Sequence, residues 1–318
     1  MKTVTRFTAL ILASLLLFAC ASQKKEEKLV IFHAGSLSVP FKEIITEFNK
    51  IHPEIKIEKE IAGSRTCARK ISDLKKPCDI MASADYTVID NLLIPDHADW
   101  NIKFAANEMT IVYTEHSKKH HEINKENWYK VLLDKEVAFG RSDPNADPCG
   151  YRSVLTMRLA ENFYNEKGVS DKLLAKDNEY IRPKETDLLA LLESGELDYI
   201  FLYRSVAEQH GLKYILLPDE INLKQTKFAD NYKLATVEIS GKKPGEKITK
   251  KGAPMVYGIT IPKNSPNPEA AKKFLTFVLS KENGLKILEK NGQPTLIPSP
   301  TSTFNKIPKE LKQFASAK

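Results

Sequence analysis

Short apolar runs alternate with amphipathic helical patterns along almost the whole chain, and this alternation restricts the fold more than any other feature. Leu29-Val30-Ile31-Phe32 has the length and β-branching of a buried strand. Phe41, Ile44, Ile45 and Phe48 follow at helical spacing, with Pro40 suited to a helix start. Ile55, Ile57 and Ile61 predict a second strand, 68–74 a helix, Asp79-Ile80-Met81-Ala82 a third strand, and Val88, Leu92 and Leu93 a short helix. Strands are expected over 109–114 and 136–139, then a helix over 151–167 ended by Gly168. Leu188, Leu189, Leu191 and Leu192 mark a helix stopped at Gly195. A strand over 199–203, a helix over 205–210 closed by Gly211 and a strand over 214–217 come next. Residues 242–252 read as a polar hairpin or loop, 255–261 as a strand, and 268–279 as an amphipathic helix, with a final helical piece reaching Asn291-Gly292. Strand–helix–strand–helix order implies an α/β fold with largely parallel sheets.

The chain has 318 residues, ample for two domains of ordinary size. Its start stands apart. Lys2 and Arg6 precede an apolar run over 9–18 that is too short to span a membrane. Leu17-Phe18-Ala19-Cys20 resembles a bacterial lipobox. On that reading 1–19 is a lipoprotein signal peptide, Cys20 carries the lipid, and 20–28 is a polar tether. An ordinary cleaved signal peptide with an incidental Cys20 is the other reading. No later segment reaches transmembrane length, so the body is expected outside the cytoplasm, lipid-anchored and facing the periplasm or the cell exterior.

The net charge of +7 is mild and mixed, and no basic stripe with interleaved aromatics occurs. That argues against a nucleic-acid partner; the lysines over 242–251 read as solvated faces. Cys67, Cys78 and Cys149 remain after Cys20. Export permits a disulfide. Cys67 and Cys78 flank a short helical pattern, and either a bridge between them or two buried free thiols fits. Spacing of the C-x-x-C kind is absent, so no zinc site is expected.

Four segments place small or acceptor residues between a strand and a helix: Gly35-Ser36, Gly63-Ser64, Asp147-Pro148-Cys149 and Glu185-Thr186-Asp187. Ligands of α/β sheets sit at the carboxyl ends of strands. A helix start there offers unpaired N–H groups and a positive dipole end to an anion. Ser and Asp are also ordinary N-caps, so each position taken singly has a structural reading. Asp147 adds a conflict, because a carboxylate at an anion site repels the anion.

Five motifs taken together resemble the tungstate/molybdate-binding proteins of ABC importers, of the type best known from archaea. They are His33-Ala34-Gly35-Ser36-Leu37-Ser38, Ala84-Asp85-Tyr86-Thr87-Val88-Ile89, Asp147-Pro148-Cys149-Gly150-Tyr151-Arg152-Ser153, Glu193-Ser194-Gly195-Glu196-Leu197-Asp198-Tyr199 and Val256-Tyr257-Gly258-Ile259-Thr260-Ile261-Pro262-Lys263-Asn264. The resemblance covers 29–298. It implies a type-2 periplasmic binding protein, an α/β fold of two lobes with two crossover strands and one oxyanion in the cleft. Lobe 1 is then expected over 29–108 and 259–318, and lobe 2 over 109–258. The resemblance further implies ABC permease and ATPase partners, a monomeric receptor, no cofactor and no catalytic residues.

The family's ligand positions fall on Gly35, Ser36, Ser64, Asp147, Pro148, Cys149, Glu185 and Tyr203. In the family, backbone N–H groups, serine hydroxyls and a tyrosine hold the oxygens of tungstate or molybdate. Two carboxylates, here Asp147 and Glu185, approach the metal itself and complete six-coordination. Carboxylate oxygen is a hard ligand suited to W(VI) or Mo(VI). Sulfate and phosphate cannot expand in this way, so the same carboxylates repel them. Two departures stand out: 177–184 is short relative to the family, which makes Asp187 the neighbouring alternative to Glu185, and Cys67 and Cys78 lie outside the family pattern. Cys149 is expected to offer only its amide, Arg152 and His33 to be structural, and Asp85 to cap a helix near the cleft. Two other functions fit parts of the pattern. A ferric-ion receptor of the same fold would use the Tyr, Asp and Glu ligands. An exported serine hydrolase would use Ser36 with His33, but Ala34-Gly35-Ser36-Leu37-Ser38 is not a G-x-S-x-G elbow.

Overall fold

The structure, a computed structural model, describes residues 27–318. Cys20 and the rest of 1–26 lie outside the described residues. Two five-stranded sheets carry the architecture. The first combines β1 (Glu27–His33), β2 (Ile55–Ile61), β3 (Ile80–Ser83), β4 (Ile102–Ala106) and a late strand, Val256–Thr260, in the order β2-β1-β3-late strand-β4. The second combines β5 (Met109–Tyr113), β6 (Phe139–Ser142), β7 (Ile181–Arg182), β8 (Tyr199–Tyr203) and β9 (Lys213–Leu216) in the order β7-β6-β8-β5-β9. A hairpin of β10 (Thr236–Ser240) and β11 (Lys247–Lys251) follows, which makes the late strand β12.

The sheets are mixed, not parallel throughout. β12 runs antiparallel to β3 and β4, and β5 runs antiparallel to β8 and β9. Both strands directly follow an entry into their sheet from elsewhere: β4 of the first sheet leads to β5 through Asn107-Glu108, and β11 of the hairpin leads to β12 through 252–255. Entering from the end where the parallel strands finish, each must run the opposite way. The chain is thus back in the first sheet by Val256.

β1 shows why the strands read as continuous apolar runs. Leu29 and Ile31 join one core cluster, while Phe32, with Val30 packed beside it, joins another on the opposite face. On the first face α1 (Ser38–Ile51) buries Phe41, Ile44 and Phe48, the predicted helical stripe. Phe48 meets Phe274 and Phe277 of the helix Pro268–Val278 edge-on, at 5.0 and 5.5 Å. On the second face lie α2 (Ser64–Ser72) and α3 (Tyr86–Leu92).

One expected strand moves. Residues 136–138 form a turn in which Asp134 captures the Glu136 amide through its side chain and the Val137 amide through its carbonyl. Pairing therefore begins only at Phe139. Of the two readings of Cys67 and Cys78, the structure has free, buried thiols and no bridge. Cys67 donates weakly to His33 O and Cys78 to Ile80 O at 3.7 and 3.1 Å, and both pack in the second core cluster as small hydrophobes. Burial pushes the Cys67 thiol up to about 12.

His33, at the end of β1, is a core residue. Its Nδ1 meets Ala34 O at 2.7 Å, its ring packs on Phe41, and its Nε2 is buried without a partner. Burial, opposed by the Ala34 bond, lowers its pKa from 6.5 to about 4. The unfolded chain therefore binds the proton first, and stability present above pH 6.5 is lost as pH falls toward 4. We expect His33→Asn, which keeps the donor to Ala34 O, to flatten this slope relative to the natural protein. The difference, on the order of 3 kcal/mol, is measurable by denaturant titration across that window.

Candidate functional site

The parallel strands of both sheets end on one cleft. β1 leads to Gly35-Ser36, β2 to Gly63-Ser64, β3 to Ala84-Asp85, β6 to Asp147, β7 to Glu185, and β8 ends on Tyr203. Every one of the side chains Ser36, Ser64, Asp85, Asp147, Glu185 and Tyr203 is buried.

Asp147 caps α4 (Pro148–Phe163), and its Oδ1 accepts the Cys149 amide at 3.1 Å. Its Oδ2 accepts the Glu185 amide at 2.8 Å across 38 residues of sequence. Pro148 has no N–H to give, and the Gly150 amide is bound to Asp147 O. The expectation that this helix start offers free amides, with Cys149 supplying one, is therefore corrected: Asp147 itself uses them. The Cys149 thiol is buried and its pKa raised by burial, so its sulfur stays protonated.

Glu185 is the opposite case. It is 0% exposed, yet neither carboxylate oxygen has a hydrogen-bond partner. The two lobes meet at this point. A Cβ on Gly35 would lie 2.9 Å from Glu185 Oε1, and one on Gly63 would lie 2.4 Å from Ala146 O. Backbone approach requires glycine at 63, while at 35 a side chain would displace the Glu185 carboxylate. The Arg65 and Thr66 amides at the start of α2 donate across the cleft to the same Ala146 O, at 3.1 and 3.2 Å.

Hydroxyls line the remaining side. Ser64 Oγ accepts the Ala84 amide at 2.9 Å. Tyr203 Oη accepts Arg152 Nη1 at 2.9 Å, and the same Nη1 donates to Ala84 O. Ser36 Oγ is 2.9 Å from the Tyr257 hydroxyl. His33 is bonded to Ala34 O and Ser36 to Tyr257, so the His33–Ser36 pairing of the serine-hydrolase reading is not formed. Asp187, the alternative to Glu185, is paired with Lys184 near the surface.

A family model for bacterial extracellular solute-binding proteins matches residues 29–293. The chain belongs to this family. A solute-binding protein of Petrotoga mobilis is 48% identical over 99% of this chain and 98% of its own length. The molybdate/tungstate-binding protein WtpA of Pyrococcus abyssi is 44% identical over 93% of this chain and 92% of its own. The periplasmic molybdate-binding protein of Azotobacter vinelandii superposes with a TM-score of 0.61 at 16% identity, covering 85% of this chain and 99% of that one. That likeness shows the fold: two α/β lobes of a periplasmic binding protein. No helix among the described residues is long and apolar enough to cross a membrane.

This solute-binding protein holds its lobes together through Asp85, the expected helix cap near the cleft, and through a lysine that its sequence left unmarked. Asp85 caps α3 and accepts from Tyr151 Oη at 2.5 Å and from Lys250 Nζ at 2.7 Å, with Arg152 at 3.7 Å. Burial alone would raise its pKa, but Lys250 and Arg152 outweigh burial and hold it well below the carboxylate range. Lys250, read as part of a solvated loop, is instead an inter-lobe ion pair on β11. Arg69 similarly reaches Gly241 O, and Lys242 reaches Asp96. A period-2 polar hairpin gives no sign of which lysine turns inward, so no local signal could have found Lys250.

Burial and the Asp147 carboxylate raise the Glu185 pKa well above 4.5, and nearby amides offset this only in part. The protonated form thus favours the closed cleft. Closure is fully favoured below the open-state value near 4.5 and loses stability as pH rises above it. The slope is about 1.4 kcal/mol for each pH unit until the closed-state pKa is reached. Small-angle scattering of ligand-free protein is expected to show contraction on acidification and, at neutral pH, in Glu185→Gln. An unchanged radius of gyration in both would contradict this.

Proposed function

We propose that the protein captures tungstate or molybdate outside the cytoplasm and delivers it to an ABC permease with its ATPase. The observation that carries this reading is Glu185: a buried carboxylate with no partner, facing Gly35-Ser36 and tied through its own amide to a second carboxylate, Asp147. Two carboxylates facing a simple dianion are repulsive. Facing W(VI) or Mo(VI) they become ligands that raise its coordination from four oxygens to six. The hydroxyls of Ser36, Ser64 and Tyr203, with the amides of Gly35 and Ser36, hold the oxyanion's own oxygens. The relatives from Pyrococcus abyssi and Thermococcus kodakarensis, both named molybdate/tungstate-binding proteins, support the same ligand class.

The ferric reading has less support. Tyr203 is engaged by Arg152, and burial pushes its pKa well above 10, which opposes a phenolate ligand. No group of three or more His, Cys, Asp or Glu residues able to hold a metal ion occurs among the described residues.

Calorimetry tests the proposal. Tungstate or molybdate is expected to bind far more tightly than sulfate; equal affinities, or no heat with either metal oxyanion, would reject it. Glu185→Ala and Asp147→Asn, the latter keeping the Oδ1 cap, are each expected to weaken tungstate binding about 100-fold, roughly 3 kcal/mol. Sulfate binding should be unchanged or eased. Membrane attachment through a lipid on Cys20 belongs to the same proposal, and Cys20→Ser should release the protein from the membrane fraction of expressing cells.

A further inference from the structure

Ser36 is reached by a chain of hydrogen bonds whose direction is fixed at its far end. Asn107 lies in the first crossover, between β4 and β5. Its Oδ1 accepts two backbone amides, from Glu108 in the same crossover at 3.0 Å and from Ser205 of the second lobe at 3.4 Å. An amide N–H can only donate, so this oxygen cannot exchange places with Nδ2. Nδ2 must therefore face Ser205 Oγ at 2.7 Å and the Tyr257 hydroxyl at 3.0 Å. Tyr257 Oη, receiving that N–H, turns its own proton to its one other partner, Ser36 Oγ, at 2.9 Å. Ser36 Oγ then accepts, and its proton has no hydrogen-bonded acceptor among the described residues.

We propose that Asn107 and Tyr257 are positioning residues for oxyanion binding, acting as a relay that forces Ser36 to present its hydroxyl proton to the cleft. Neither touches the ligand. The relay rests on the oxyanion reading given above, and it goes beyond that reading by assigning a task to two residues outside the ligand set. It also joins the crossover to the site, because the amides that orient Asn107 belong to the crossover residue before β5 and to the helix Arg204–Gln209 that follows β8. Ser64 and Tyr203 arrive at the same state by shorter routes, through the Ala84 amide and the Arg152 guanidinium. Ser64 and Tyr203 thus meet obligate donors, Ser36 meets a hydroxyl that Asn107 makes a donor, and all three keep their own protons for the anion. The whole chain from Asn107 to Ser36 is buried, so no water competes for these protons.

Asn107→Asp is the decisive change. It keeps the acceptor for the two amides but replaces the N–H by an oxygen. The Tyr257 proton then turns to the new carboxylate, and the tyrosine oxygen becomes an acceptor that draws the Ser36 proton away from the cleft. Tungstate affinity measured by calorimetry is expected to fall about tenfold. Adding Tyr257→Phe should restore most of it, since a phenyl ring cannot hold the serine proton, and Asn107→Asp should cost nothing further in Ser36→Ala. A double variant Asn107→Asp/Tyr257→Phe as weak as Asn107→Asp alone would overturn the relay. A second measurement needs no ligand. In protein with labelled tyrosine, NMR should show the Tyr257 hydroxyl proton near the Ser36 β-protons; proximity to the Asn107 side chain alone would overturn the relay. If that signal is present while the natural protein gives no heat with tungstate or molybdate, the oxyanion reading fails and the relay stands.

Discussion

The bond from the Glu185 amide to Asp147 Oδ2 is the contact on which the cleft depends. With its other oxygen on the Cys149 amide, Asp147 is buried, capped and fully oriented. The positive end of α4 is thereby spent on a carboxylate of the protein instead of remaining open to a ligand. The same bond sets where Glu185 begins, and so where its side chain ends: against Gly35, with neither oxygen hydrogen-bonded. One carboxylate is satisfied so that the other can be left unsatisfied. An isolated buried carboxylate is unfavourable by several kcal/mol and neutralises by taking up a proton. Such a group persists in a native site when something outside the chain completes it.

Closure of the lobes relies on contacts of unequal weight. Ion pairs at the rim, such as Lys242–Asp96, are solvated and screened, and contribute little. The Asp85 cluster is buried, and its carboxylate receives a tyrosine hydroxyl and an ammonium from the opposite lobe. Removing one partner there strands a charge, so this cluster, not the rim, opposes opening. Backbone contacts add to it. Gly63 lets Ala146 O reach the amides of Arg65 and Thr66, a contact that any side chain at 63 would block. Opening the cleft must break the Asp85 cluster and the Ala146 bonds, and it also relieves Glu185. Those opposing effects make closure sensitive to pH and to whatever meets Glu185.

Much of the fold was legible because its signals are local. The Phe41–Ile44–Phe48 stripe, the β-branched run of β1 and the glycines ending helices report the period and boundaries of each element. The strand at Phe139 was displaced by an Asp134 turn, a competition between side chain and sheet that apolar counting does not register. Mixed sheet direction was also hidden. It follows from which strands come after a crossover, and crossing between lobes is a property of the path and leaves no mark on residue pattern. In the site, the helix-start residues were visible as motifs, but the use of their amides was not. Asn107 and Lys250 carried no motif of their own, and Tyr257 stood in one without a task assigned to it.

The sequence by itself determined the alternation of strands and helices, hence two α/β layers with glycine, serine and acid residues at the strand ends. Those are consequences of periodicity and of backbone constraints a few residues long. Only the tertiary structure decided which of those groups are spent within the protein and which remain open. Asp147 and Glu185 lie 38 residues apart in sequence, and Tyr257 and Ser36 221. Whether a carboxylate finds a donor, or a hydroxyl points its proton inward, depends on atoms brought within about 3 Å of each other by folding, and no spacing along the chain encodes that distance.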